Sequence, residues 1–311
     1  MDDEREIILD DEGFRLLRDL GFRCRVNGFS RGPGSVYHTT RIKTYEHSGT
    51  WEALTASRPI FKEPGWEDRY QRVQGRKSAP DASEGEKPAG EPSYESVMRA
   101  VRRAKVAVRD YALSTDFRYF VTLTLDASRV DRYDIVEITR KMQAWCSNQV
   151  QRRGLAYILV PELHKDGAVH FHGFFNDALP VEDSGTMVPP EGGKPKCPRS
   201  LRQRSEWAEN GGRVVYNLPA WTLGYTTAIE LYGDYRSAVG YVCKYIGKAQ
   251  GADADGPPQK IGGRWYYSGG KLGKPVVTYA DDSAREALER GGHAWDVPEA
   301  FVTLVREAGN L

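Results

Sequence analysis

The sequence has few cysteines, no long apolar run and an acidic start. Its 311 residues include four cysteines, which lie far apart and form no CxxC pair, so neither a disulfide framework nor a thiolate zinc site is expected. No stretch approaches the roughly 18 consecutive apolar residues that a membrane-spanning helix needs. The first residues, MDDEREIILDDEG, lack the basic and then apolar order of a secretory leader. We therefore expect a soluble, unsecreted protein of the cytoplasm, with reduced thiols and no membrane partner.

An excess of charge of either sign is also absent. The chain has 44 Lys and Arg residues against 43 Asp and Glu residues, a net charge of +1, whereas many nucleic-acid-binding domains are strongly basic. No GxxxxGK[ST] loop occurs, so a fused helicase motor is not expected. Any affinity for phosphate groups must therefore come from local clusters of basic residues.

A low-complexity segment divides the chain. Residues 75–93 read GRKSAPDASEGEKPAGEPS and contain no aromatic residue, so they cannot bury enough apolar surface to offset the entropy of ordering. We interpret them as a flexible linker after an N-terminal region, residues 1–74, of unknown role. Residues 94–280 are then expected to form the main domain, and residues 281–311 a helical tail.

The main domain alternates between helical and strand patterns. The predicted elements are a helix from Tyr94 with Ser93 as its N-cap, a strand at 119–126, a helix at 131–153, strands in LAYILVPEL and AVHFHGFF, a strand near 224–231 and a helix from about Asp234 to Ile246. An insertion rich in Gly, Pro, Lys and Arg covers residues 178–212. This order predicts an α+β fold with a central antiparallel sheet flanked by helices.

Basic side chains gather on the helix that begins at Tyr94. At about 100° per residue they fall on one broad arc, opposite Val101, Ala104 and Val108. The arc consists of Arg99, Arg102, Arg103, Lys105 and Arg109. A solvated basic face and a face that contacts DNA phosphates both fit this pattern.

The segment VHFHGFF places two histidines on one face of a predicted strand. His170 and His172 are two residues apart, so both imidazoles project from the same side. If Lys165–Gly167 form a three-residue hairpin loop, Glu162 lies opposite His170 on that face. Two imidazoles and a carboxylate suit a divalent cation with open positions for substrate oxygens, Mn²⁺ at least as well as Mg²⁺.

The third ligand depends on the register of this hairpin. A two-residue loop would turn Glu162 to the wrong face. His164 shares the strand parity of Glu162 and is the weaker candidate, because it lies next to the turn. Both possibilities remain open at the level of sequence.

The segment AVGYVCKYIGKAQ, residues 238–250, twice places a lysine three residues after a tyrosine. On a helix the apolar stripe consists of Tyr235, Ala238, Val239, Val242 and Ile246. The remaining arc carries Tyr241, Lys244, Tyr245 and Lys248.

Two interpretations of that second arc are open. It is either a boundary face with snorkelling lysines or a catalytic face in which a phenol attacks a phosphodiester. A phenol has a pKa of about 10, so attack requires that a metal and nearby ammonium groups neutralise the developing charge.

Three segments together resemble a known enzyme family. In order, FVTLTLD, HFHGFF and YVCKYIGK resemble the three motifs of the HUH (His-hydrophobic-His) endonucleases that initiate rolling-circle replication. The likeness is strongest to replication proteins of bacterial plasmids and small single-stranded DNA phages, including the two-tyrosine type, and it covers about residues 94–280. A two-tyrosine transposase and a relaxase share this chemistry and remain alternatives, although relaxases usually place the tyrosine before the histidines.

The resemblance implies a ferredoxin-like or RRM-like palm on which His170 and His172 bind Mg²⁺ or Mn²⁺, with Glu162 at the position of an acidic third ligand. It implies nicking of single-stranded DNA at a replication origin, a 5′-phosphotyrosine link and a 3′-hydroxyl that primes the polymerase of a bacterial host, whose helicase would also be a partner. Tyr241 and Tyr245 match the motif tyrosines, and Lys244 and Lys248 the motif lysines. A non-catalytic module that stacks single-stranded bases and needs no metal is the alternative of a different class.

Overall fold

The computed structural model of the chain describes a defined set of residues. These are 24–26, 29–31, 36–56, 59–63, 93–164, 166–231, 235–248, 258–281, 293–295 and 301–307. Residues 75–92 of the expected linker lie outside this set, as does most of the N-terminal region before residue 36.

The contacts divide the chain into two units. The terminal unit comprises Met1–Thr44, Thr50–Pro88 and Val276–Leu311. The central unit comprises Tyr45–Gly49 and Ala89–Pro275. The N-terminal region and the C-terminal segment, separate in the sequence, therefore contribute to one unit.

The helices of the described residues are α1 (Tyr94–Ser114), α2 (Ile135–Arg153), α3 (Leu201–Glu209) and α4 (Tyr235–Tyr245). The strands are β1 (Cys24–Val26), β2 (Phe29–Arg31), β3 (Val36–His38), β4 (Thr40–Tyr45), β5 (Thr50–Ala56), β6 (Phe61–Glu63), β7 (Tyr119–Leu125), β8 (Tyr157–Leu163), β9 (Val169–Phe175), β10 (Glu182–Val188), β11 (Arg213–Asn217), β12 (Gly224–Glu230), β13 (Tyr267–Gly269), β14 (Val276–Ala280), β15 (His293–Trp295) and β16 (Phe301–Glu307). No described helix combines the length and the apolarity that a membrane crossing requires.

The terminal unit contains a five-stranded sheet in the order β14-β4-β5-β16-β15, and two-stranded sheets of β1 with β2 and of β3 with β6. The segment 281–311, expected to be helical, contributes β15 and β16 in its described part. The sequence of β16, FVTLVRE, alternates and is rich in β-branched residues. It pairs along its whole length with β5, and this pairing overrides the helical expectation.

A seven-stranded antiparallel sheet forms the centre of the central unit. Its order is β10-β11-β12-β7-β9-β8-β13, and every pairing is antiparallel. The α+β class and the antiparallel sheet are therefore confirmed. The insertion 178–212 contains β10 and α3, and β10 extends the sheet at its edge.

Helices cover the two faces of this sheet. On one face, which we call the α2 face, Ile138, Met142 and Trp145 of α2 pack against Leu123 and Phe171. This helix begins where the Asp134 side chain accepts a hydrogen bond from the Glu137 amide.

The opposite face, the α4 face, packs against α1 and α4. Val101 and Val108 of α1, and Val239 and Val242 of α4, cluster with Phe174, so the predicted apolar stripes of both helices are confirmed. Behind α4, Gly247 has a φ of 75°, and a Cβ there would lie 2.6 Å from a methyl group of Val101. Only glycine allows the chain to leave α4 so close to α1. This close packing seats α4 over the histidine-bearing strand.

Candidate active site

His170 and His172 lie on β9, which pairs with β7 on one side and β8 on the other. Both belong to the α4 face, as the strand period of two predicts. Thr124 and Thr122 of β7 lie opposite them. Hydrogen bonds join the Thr124 hydroxyl to Nδ1 of His170 (3.3 Å) and the Thr122 hydroxyl to Nδ1 of His172 (3.1 Å). These contacts orient both rings and leave Nε2 of each for other partners.

Glu162 lies opposite His170 in the pairing of β8 with β9, so the predicted register is confirmed. Its carboxylate contacts two other residues. Oε2 lies 3.0 Å from Nε2 of His172, and Oε1 accepts a hydrogen bond from Lys248 Nζ at 2.9 Å. Burial alone would raise the pKa of Glu162, but the hydrogen bonds with His172 and Lys248 lower it below its ordinary value. The carboxylate is therefore ionised at neutral pH, and its side chain is only 14% exposed.

The environment of His170 keeps its imidazole neutral. Burial, reinforced by the charges of His164, His172 and Arg132, lowers the pKa of His170 to about 4. The His164 ring stacks on the His170 ring with 3.7 Å between centroids, so His164 is a close neighbour of the pair. A neutral imidazole is the form that binds metal ions.

Tyr245 and Tyr241 project from α4 onto the same face. The Tyr245 ring stacks on the His172 ring, with 4.5 Å between centroids and an angle of 14°. Its hydroxyl donates a hydrogen bond to the Tyr241 hydroxyl, and the Tyr241 ring contacts Phe120 edge-on at 5.7 Å. Tyr245 therefore contacts the histidine pair directly, and Tyr241 adjoins the pair through Tyr245 and Phe120.

The two phenols differ in exposure. Tyr241 is 46% exposed, whereas Tyr245 is partly buried. Burial and the hydrogen bond to Tyr241 raise the pKa of Tyr245 above its ordinary value, and the charge of Glu162 adds to this effect. The Tyr245 phenol is therefore protonated at neutral pH.

The two motif lysines have different surroundings. Lys248 Nζ bonds Glu162 and lies 5.6 Å from the centre of the Tyr245 ring. Lys244 is exposed on α4, and its side chain makes no hydrogen bond or ion pair with any residue that the structure describes. The structure thus brings Lys248, and not Lys244, into contact with Glu162 and Tyr245.

The predicted basic arc on α1 separates into two parts. Arg99, Arg102 and Arg103 are exposed, whereas Lys105 and Arg109 are half-buried. The latter two face α4, because their charges act on the Cys243 thiol, whose pKa is nevertheless raised by burial to about 11. Of the predicted arc, only Arg99, Arg102 and Arg103 therefore have the solvent-exposed surface that contact with a nucleic acid requires.

The sequence interpretation missed the partners that orient the site. Thr122 and Thr124 lie on the predicted strand at 119–126, but no local pattern indicated that this strand pairs with the histidine strand. Arg132 was also not identified from the sequence. Its charge contributes to the lowered pKa of His170, and its guanidinium lies 3.4 Å from Asp166. The paired residues of β7 and β9 are about fifty positions apart in the chain. Sequence periodicity extends over only a few residues and does not predict such a pairing.

The donor atoms at the histidine pair fit a divalent cation in their chemistry. They are two imidazole nitrogens and a carboxylate, one of the mixed sets that Mn²⁺ and Mg²⁺ accept. In the described part of the chain, however, no three His, Cys, Asp or Glu side chains are gathered in the geometry of a metal site. The Glu162 carboxylate is instead engaged by His172 and Lys248.

One comparison with known proteins finds a match. Residues 118–250 match the family model of the replication-associated protein ORF2. That segment begins just before β7 and ends after Lys248, so it contains the histidine strand and the tyrosine helix. No curated protein and no solved structure matches the chain. The match is to a replication-associated family and is consistent with a protein of the rolling-circle Rep type.

Proposed function

We propose that this protein initiates rolling-circle replication in the cytoplasm of a bacterial host by nicking and rejoining single-stranded DNA at an origin. The observation that carries the proposal is the convergence of the α4 phenols beside the histidine pair, where the Tyr245 ring stacks on His172 and its hydroxyl bonds that of Tyr241. A boundary face of tyrosines and lysines does not require this convergence. The match of residues 118–250 to a replication-associated family supports the same interpretation.

The proposed reaction exchanges one phosphodiester for another. The phenol oxygen of a tyrosine attacks phosphorus, the new O–P bond forms, and the bond from phosphorus to the 3′-oxygen breaks. The phenol gives up its proton and the departing oxygen gains one, so the products are a 5′-phosphotyrosine and a 3′-hydroxyl. That hydroxyl primes the host polymerase behind the host helicase. Attack of a 3′-hydroxyl on the phosphotyrosine reverses the step and rejoins DNA.

Tyr241 is the better placed nucleophile for the first cut. It is the more exposed phenol, and its hydroxyl accepts a hydrogen bond from Tyr245, which stabilises negative charge developing on the Tyr241 oxygen. Tyr245 then serves the second cut. Two phenols in contact allow one to hold a DNA end while the other attacks.

In the same proposal, His170, His172 and Glu162 hold Mg²⁺ or Mn²⁺. When bound, the cation withdraws charge from the phosphate oxygens and so makes phosphorus easier to attack. The threonine hydroxyls hold Nδ1 of both rings, which assigns Nε2 as the ligand atom. Binding requires Glu162 to exchange its contacts with His172 and Lys248 for the cation.

The basic side chains have distinct roles in this proposal. Lys248 neutralises charge at the reacting phosphate, because it already lies beside Glu162 and the Tyr245 ring. Lys244 contacts the DNA from the exposed side of α4. The α1 arc, with Arg99, Arg102 and Arg103 as its exposed part, follows the phosphate backbone. The central strands would then correspond to the ferredoxin-like palm of the HUH enzymes.

Mass spectrometry of the covalent product tests this proposal. Purified protein, incubated with Mn²⁺ and single-stranded DNA that spans the origin, is expected to yield a peptide of residues near 241–245 linked to a 5′-phosphate. EDTA should prevent the link, as should the His170→Ala/His172→Ala double variant. Binding of the strand without an adduct under any divalent metal would instead favour a non-catalytic binding module. An adduct on terminal repeats of a mobile element would favour a transposase.

A further inference from the structure

Tyr225 is an exposed aromatic residue on β12, in the interior of the central sheet. Its side chain is 67% exposed, although large aromatic side chains are usually buried to a greater extent. It makes no ring contact with another residue of the described chain. Tyr241 and Tyr245, by comparison, pack against Phe120 and His172. The position therefore contributes little to the core.

The register of the sheet puts Tyr225 in line with the candidate site. Tyr225 pairs with Thr124, Thr124 pairs with His170, and His170 pairs with Glu162. Directly paired residues share one face of a sheet, so these four residues form a row across four strands of the α4 face, which we call the Glu162 row. Neighbouring strands are about 5 Å apart, so Tyr225 lies about 10 Å from the strand of His170.

The backbone holds Tyr225 at this place. A Cβ on the preceding residue, Gly224, would lie 2.2 Å from the carbonyl oxygen of Thr124. Only glycine permits β12 to run this close to β7. The strand that carries Tyr225 is thereby pressed against the strand that orients His170.

A carboxylate lies near the tip of the Tyr225 side chain. Hydrogen bonds from the backbone and hydroxyl of Ser128 lower the pKa of the Asp126 carboxylate, and the neighbouring Tyr225 hydroxyl adds a smaller effect. Arg129 lies 3.6 Å from the same carboxylate and offsets its charge. The pairing of β12 with β7 fixes the backbone of Tyr225, and its ring is exposed over much of its surface, as a stacking platform requires.

We propose that Tyr225 stacks on a base of the single-stranded DNA whose scissile phosphate lies at the histidine pair, so that the Glu162 row is the path of the strand across the sheet. This inference rests on the proposed function, since it assumes a strand at that site. Every base has a π-face, so one ring accepts any nucleotide. Arg129, beside Asp126, is 53% exposed and supplies a positive charge for the adjacent phosphate.

A binding experiment on the full chain measures the contribution of the ring. The probe is a fluorescein-labelled oligothymidylate of about 20 nucleotides, longer than a typical site on one small domain. Tyr225→Leu should weaken binding about 5- to 100-fold, the range expected for loss of one stacked base. Tyr225→Phe keeps the ring and should stay within about threefold of the natural protein. Tyr94→Leu, at an equally exposed tyrosine on α1, is the matched control.

A photocrosslink on the unaltered protein gives an independent measurement. An oligothymidylate carrying 5-iodouracil at single positions should crosslink to the peptide that contains Tyr225. Crosslinks confined to other peptides, together with unchanged affinity of Tyr225→Leu, would overturn the inference. If that variant also forms the tyrosine adduct on origin DNA at the natural rate, the proposed function stands and only the role of Tyr225 fails. If the natural protein neither binds nor forms an adduct, both fail.

Discussion

The two faces of strand β9 differ in what holds them. On the α2 face, Phe171 and Phe175 are almost fully buried in an apolar cluster. On the α4 face, His170 and His172 are also largely buried, but each ring has a hydrogen-bond partner on β7, and His172 contacts Glu162 on β8. Burial of polar groups is tolerated when they are paired. The comparison teaches that one strand can serve stability through one face and chemistry through the other.

The largest effect is expected from the α4 face. The Tyr241→Phe/Tyr245→Phe double variant keeps both rings but removes both nucleophilic oxygens. Adduct formation should fall by at least about 10³-fold, as expected when a covalent nucleophile is lost, with little change in thermal stability. The adduct is measured by denaturing gel electrophoresis after incubation with Mn²⁺.

Single variants sharpen this result. If Tyr241→Phe alone removes the first cut and Tyr245→Phe removes only the second, the phenols act in turn. Equal adduct formation by the double variant and the natural protein would show that neither Tyr241 nor Tyr245 is the nucleophile.

On the α2 face, Phe171→Ala should lower the free energy of unfolding by about 3–5 kcal/mol, because a buried ring leaves a cavity. Chemical denaturation measures this change. Val136→Ala, on the exposed side of α2, is the control and should change stability by about 0.5 kcal/mol or less. Similar losses from both variants would contradict the assignment of this face to the core.

The smallest effect is expected at the threonine that orients His172. Thr122→Val keeps the shape but removes the hydroxyl that bonds Nδ1, and loss of such a partner typically lowers metal affinity about 10- to 100-fold. Calorimetric titration with Mn²⁺ measures the change. Thr227→Val is a matched control, since Thr227 pairs with Thr122 on the next strand and its hydroxyl has no hydrogen bond with a described residue. Equal Mn²⁺ affinity of the two variants would show that the Thr122 hydroxyl does not orient a ligand.

Much of the site could be predicted from local patterns. Strand periodicity indicated that His170 and His172 share a face, and hairpin geometry indicated that Glu162 lies opposite His170. Helical periodicity separated the buried stripe of α4 from the arc of Tyr241 and Tyr245. These patterns repeat within a few residues, so no knowledge of distant contacts was needed.

Other features depended on distant pairings. The contact of the Glu162 carboxylate with Lys248 depends on the packing of α4 against α1 and the sheet. The strands of the C-terminal segment follow from the pairing of β16 with β5, some two hundred and fifty residues apart in the chain. The position of Tyr225 beside the site required the order of β12, β7 and β9. No segment contains this information by itself.

The amino-acid sequence alone determined which side chains share a face, because backbone periods of 2 and about 3.6 residues are set by local geometry. The tertiary structure alone decided which faces meet, because strand order and helix seating minimise exposed apolar surface over the whole unit. The seven-residue segment VHFHGFF was therefore enough to predict that the two histidines share a face. Their threonine partners on β7, and the contact of Tyr245 with His172, became identifiable only from the tertiary structure.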